Sequence, residues 1–99
     1  MSSKNYDFGT VVEFGALTTE YSANEIALGN VCNQIAIVNE TDGRILIQRD
    51  GVAVDSLAAG KSRSYVNWAT FETISIKYTG TQPTEGFVSV QACYADYFG

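Results

Sequence analysis

The chain has no histidine. That absence removes Ser-His-Asp and Cys-His catalysis, imidazole general bases and the usual zinc ligand sets. Cysteine is also scarce: Cys32 and Cys93 stand alone and cannot supply a four-ligand metal site. The single proline and the spread of Ile, Val, Phe and Tyr argue against disorder. Basic residues number six against eleven acidic ones, a net charge of −5, and they are scattered from Lys4 to Lys77. Such a surface repels nucleic acid, whose binding rests on Lys and Arg neutralising phosphates. No apolar run approaches the roughly 20 residues that span a bilayer. The opening Met1-Ser2-Ser3-Lys4-Asn5-Tyr6-Asp7 has no apolar stretch of the signal-peptide kind. The expected setting is therefore a reducing cytoplasm, with Cys32 and Cys93 as free, buried thiols; a bridge between them is the alternative. The sequon Asn39-Glu40-Thr41 carries no weight without export.

What is present is β chemistry. From Gln34 to Leu57 the sequence reads strand, turn, strand, turn, strand. β-Branched residues dominate the runs, and their stiff side chains suit a pleated surface. Asp42-Gly43 and Asp50-Gly51 close the two connections, and Asp-Gly is the dipeptide that tolerates a tight reversal. Further strands are expected at residues 8–14, in a partly alternating stretch at 61–66, at 71–78 and at 87–94. Ile74, Ile76 and Tyr78 should share one face of the third, with Thr73, Ser75 and Lys77 on the other. Residues 21–28 read as an extended edge segment before the turn chemistry of Gly29-Asn30. Pro83 keeps the loop 79–86 out of a ladder. Strands every 8–12 residues predict one all-β domain, an antiparallel β-sandwich of seven or eight strands, Ig-like or jelly-roll-like. The sandwich spans residues 1–99, with a polar N-terminal arm at about 1–7 and an aromatic C-terminal tail at about 95–99. A chain of this size buries roughly 65% of its unfolded surface, enough for one core.

No reaction centre is legible. Glu40, Asp42, Asp50 and Asp55 fall at turns, where acidic residues serve backbone hydrogen bonding. Paired carboxylates for glycoside hydrolysis would need a groove that so small a sandwich rarely has. The spacing at Asn39, Thr41 and Asp42 completes no calcium loop. The expectation is a non-enzymatic protein with no catalytic residues, cofactor or metal. The aromatic residues are more suggestive. Tyr6 and Phe8 open the chain; Tyr97 and Phe98 close it. They are candidate anchors into neighbouring subunits, because aromatic side chains bury large areas at small entropic cost. Phe8 and Tyr94 equally suit the core. Trp68 and Tyr65 are candidate stacking residues for a glycan, Trp68 otherwise packing inward.

The run from Ile37 to Val52 resembles small tailed-bacteriophage virion proteins, whose strands read I-x-N-x-T-D-x-x-I-x-I-S-x-D-G-V. The likeness continues through Ala59-Gly60-Lys61-Ser62 and the loop Pro83-Thr84-Glu85-Gly86 into the strand Phe87-Val88-Ser89-Val90. It covers residues 35–94 and departs at Gln48-Arg49, where the pattern has Ser and an aromatic. The resemblance implies a structural virion component of the capsid decoration, cement or accessory type, without enzymatic activity. Its partners would be other virion proteins, foremost the major capsid protein. It would form a homo-oligomer such as a trimer, bind neither nucleic acid nor membrane, and assemble in the host bacterial cytoplasm. The alternative is a carbohydrate- or receptor-binding module of a phage tail, neck or fibre.

Overall fold

The computed structural model describes residues 6–66 and 70–95. The described strands are β1 (Tyr6–Glu13), β2 (Glu25–Cys32), β3 (Gln34–Asn39), β4 (Arg44–Arg49), β5 (Val52–Leu57), β6 (Ser62–Tyr65), β7 (Phe71–Thr79) and β8 (Phe87–Tyr94). They pair as β1 with β8, β2 with β7, β3 with β6 and β4 with β5, all antiparallel. The chain is thus one long hairpin, rolled so that successive pairs fall in opposite sheets. Closing pairs β3–β8 and β4–β7 complete the orders β1-β8-β3-β6 and β2-β7-β4-β5. This is an eight-stranded jelly roll, one of the two topologies the sequence left open.

The core lies between the sheets. Alternate residues point inward, as the period of two requires. Ile35 and Ile37 of β3 and Val88, Val90 and Ala92 of β8 face Ile45 and Ile47 of β4 and Ile74 and Ile76 of β7. Leu17, Leu28, Leu57 and Phe71 fill the margins. Each such large side chain, fully buried, stabilises by roughly 1.5–3 kcal/mol. Ser75 departs from expectation. It stands in the outward row of β7, yet it is buried. Of the two short 3₁₀ turns between β1 and β2, Phe14–Ala16 and Tyr21–Asn24, the second packs on β7 as a cover. Tyr78 N donates to Thr18 O at 3.0 Å, and the Lys77 ammonium sits 4.7 Å from the Tyr21 ring centre. Residues 21–28 are accordingly a turn followed by an edge strand rather than one extended segment.

Only one of the two Asp-Gly connections is a hairpin. Asp50 and Gly51 both take positive φ, 44° and 85°, and Arg49 faces Val52, which makes a two-residue type I′ turn. β3 and β4, by contrast, lie in different sheets, so residues 40–43 form a crossover. Gly43 is not in the left-handed region; a Cβ there would stand 3.0 Å from Pro83 Cγ. β1 begins at Tyr6, two residues inside the stretch read as an arm. Cys32 is buried, Cys93 is half-buried, and both are free thiols. Burial pushes the Cys32 thiol up, and neighbouring Cys93 adds to it; burial, then Asp7, does the same for Cys93.

Candidate interaction surface

Asn39 is the residue on which the crossover is built. It is fully buried, with its side-chain amide hydrogen-bonded throughout. Nδ2 donates to the carbonyls of Gly43, Leu57 and Ala58 at 2.8, 3.1 and 3.2 Å. Oδ1 accepts from Thr41 N at 3.1 Å and from the Thr41 hydroxyl at 2.6 Å. The Asn39 backbone bonds Lys61 O and Gly60 N, and Glu40 N bonds Phe87 O, each at 2.8 Å. Asp42 then reaches the loop before β8. It accepts from Thr84 N at 2.7 Å, from the Thr84 hydroxyl and from Glu85 N. The Thr84 hydroxyl, chiefly, holds the Asp42 carboxyl below its usual range. Three segments far apart in sequence, 39–43, 58–61 and 83–86, therefore meet at one end of the sandwich.

Asp50 and Asp55 are committed in the same way, Asp55 from within β5 rather than from a turn, whereas Glu40 is exposed. Asp50 accepts from Glu72 N and Thr73 N at 3.1 and 2.9 Å. Asp55 accepts from Ser56 N at 2.7 Å and from the Tyr65 hydroxyl, with Arg63 Nε at 3.5 Å. This cluster ties β5, an edge of one sheet, to β6, an edge of the other. Burial, reinforced by the Asp55 carboxylate, pushes the Tyr65 phenol up to about 12. Among the described residues no three His, Cys, Asp or Glu side chains converge to hold a metal ion. No described helix is long and apolar enough to cross a membrane.

The sequence-derived candidates fall unevenly on this frame. Tyr6 and Phe8 occupy the inward row of β1, half-buried against the core, and the Tyr6 hydroxyl donates to Leu28 O. Tyr65 packs on the core with its hydroxyl on Asp55. Trp68, Tyr97 and Phe98 lie outside the described residues. What the structure adds is the outer face of the β1-β8-β3-β6 sheet. Register aligns Asp7 with Cys93 and Gln34, Gly9 with Gln91, Ala36 and Ser64, and Val11 with Ser89, Val38 and Ser62. Small or uncharged side chains fill these rows, and the charged ones are the acids Asp7 and Glu13 on β1. Shallow depressions follow: one of about 350 Å³ over Asp7, Gly9, Gln91 and Cys93, and one of about 200 Å³ beside Gln34, Ser64 and Tyr65. A third, of about 320 Å³, opens at the end of β1 between Tyr6, Asn30, Val31 and Tyr94.

Uncharged side chains of small to moderate size fill most of this sheet face. Sequence reasoning missed it because alternation marks a row as outward without telling whether solvent or a partner meets it. The sequence matches no protein-family model and no curated protein.

Proposed function

We propose that the protein is a non-enzymatic structural component of a tailed-bacteriophage virion. In this reading it is a capsid decoration or cement subunit that binds neighbouring virion proteins, foremost the major capsid protein. It assembles in the host cytoplasm as a homo-oligomer such as a trimer, a symmetry natural at a symmetric shell site. One observation carries the reading. The stretches that resemble virion proteins, residues 37–52, 59–62 and 83–90, are joined where residues 39–43, 60–61 and 84–87 meet, through hydrogen bonds of Asn39, Glu40 and Asp42 to Gly60, Lys61, Thr84 and Phe87. The resemblance therefore follows a device of the fold rather than scattered coincidences. Jelly rolls recur in viral capsid proteins, although topology alone assigns no function. A sheet face whose charged groups are Asp7 and Glu13, and the commitment of Asp42, Asp50 and Asp55 to structure, favour docking over chemistry.

The alternative, a carbohydrate- or receptor-binding module, draws on the depression lined by Gln34, Tyr65 and Gln91. Sedimentation separates the two. The protein is run alone, then mixed with capsids stripped of accessory subunits. A stable oligomer that saturates the shells and raises their melting temperature supports decoration. A monomer that leaves shells unchanged rejects it.

A further inference from the structure

The two sheets have four edge strands, and three of them carry devices that block further pairing. β6 is only four residues long, with Arg63 held by Asp55. β2 loses register with β7 between Ala27 and Cys32. β5 slips against β4, so that Ile47 faces Asp55 while Gln48 faces Ala53. β1 has none of these. Its eight residues pair with β8 in unbroken register, and it contains no Pro, Lys or Arg. Among the described residues, no backbone hydrogen bond outside the strand ladders reaches Tyr6–Glu13. The inward row, Tyr6, Phe8, Thr10 and Val12, is only half-buried, whereas Val88, Val90 and Ala92 beside it are buried. The outward row presents Asp7 and Glu13, which no ion pair reaches among the described residues.

We infer that the free edge of β1 is a docking edge that receives an extended basic segment of a partner protein as an added antiparallel strand. Backbone pairing along β1 supplies the binding, and pockets for alternate side chains supply selectivity. Lysine or arginine at the partner's outward positions meets Asp7 and Glu13. An apolar side chain opposite Tyr6 enters the cleft lined by Tyr6, Asn30, Val31 and Tyr94. Charge favours this occupant over a second copy. Pairing β1 on itself through Thr10 would set Asp7 directly against Glu13, and each copy carries a net charge of −5. The inference goes beyond the proposed function and does not depend on it, because the edge is a property of β1 alone.

The test uses the whole protein and the octapeptide Lys-Val-Thr-Val-Thr-Val-Lys-Leu. Paired antiparallel with β1, its lysines fall opposite Glu13 and Asp7 and its leucine opposite Tyr6. Amide shifts and hydrogen exchange are followed by NMR. The expected result is new protection confined to Tyr6–Glu13, with shifts at Val31 and Tyr94. The double variant Asp7→Lys, Glu13→Lys changes only exposed outward positions, and it should bind about tenfold more weakly or worse. The same peptide with glutamate in place of its lysines should prefer that variant. Protection on β2, β5 or β6, or on no edge at millimolar peptide, overturns the inference. So does affinity indifferent to charge reversal. Protection of β1 in the absence of peptide, with a mass that rises with concentration, assigns the edge to a second copy and overturns it equally.

Discussion

Tyr65 shows how one side chain joins the two sheets. Its hydroxyl donates to Asp55 on β5, while Arg63 on its own strand also reaches that carboxylate. Burial and then Asp55 raise the phenol from 10.0 to about 12, so the folded state favours the neutral form. A group whose folded pKa is raised contributes fully below its unfolded pKa, and that contribution is lost as pH climbs toward the folded value. The stability gap between the wild type and Tyr65→Phe should therefore be present near neutral pH and shrink between pH 10 and about 12. Thermal unfolding across that range checks it, and a gap that stays constant would show that Asp55 does not hold the hydroxyl. Asp42 works with the opposite sign. Its carboxyl is held low by Thr84, so that contribution is present at neutral pH and lost as the carboxylate protonates in acid.

At the scale of elements, the crossover at residues 40–43 and the loop at 79–86 must fit one another. Gly86 has φ of 93°, and a Cβ there would lie 2.8 Å from the Glu40 carbonyl carbon and 2.9 Å from Thr41 Cα. Both neighbours are backbone and cannot swing aside. Gly86→Ala should cost about 3 kcal/mol or more. Gly51→Ala is the control, because its φ is 85° but nothing lies within 4 Å of the added carbon. That variant should lose only about 1 kcal/mol. Equal losses in chemical denaturation would mean that strain at positive φ, not the contact with Glu40, sets the cost. The same elements show what was legible in the sequence. Strand positions, the sandwich and the Asp50-Gly51 hairpin followed from alternation and turn chemistry. The crossover did not, although its signal was present: four residues separate β3 from β4, against two in the true hairpin. Of Asn39 only the local turn hydrogen bonds were legible; its remote partners, Leu57 and Ala58, are fixed only once the chain has rolled up. The sheet face and the cleft at Tyr6 were hidden for the same reason. Each is assembled from strands remote in sequence.

At the scale of the whole molecule the nested pairing has a kinetic consequence. β4 and β5 are joined by two residues, while β1 and β8 lie at opposite ends of the chain. Tyr6 and Tyr94 are nevertheless cross-strand partners, their Cα atoms roughly 5 Å apart. The segments 1–5 and 96–99 can extend together to about 30 Å, ample to join those ends directly. A permutant that links Gly99 to Met1 and opens between Gly51 and Val52 should keep the fold, since its new ends fall at an exposed hairpin tip. It turns the rolled hairpin inside out: β8–β1 becomes the local pair and β4–β5 the remote one. Every strand pairing spans the new opening, so each separation becomes the chain length less its old value; the mean rises by roughly a fifth, and the permutant should fold more slowly than the wild type. The order of events should invert. Val88, buried opposite Val12 and Asn39, then joins the first hairpin to form. Val88→Ala should slow folding in the permutant and chiefly speed unfolding in the wild type, as stopped-flow chevrons would resolve. An identical partition in both chains would place the nucleus at β2–β7 and β3–β8, the pairs whose separation along the chain changes least when the ends are joined.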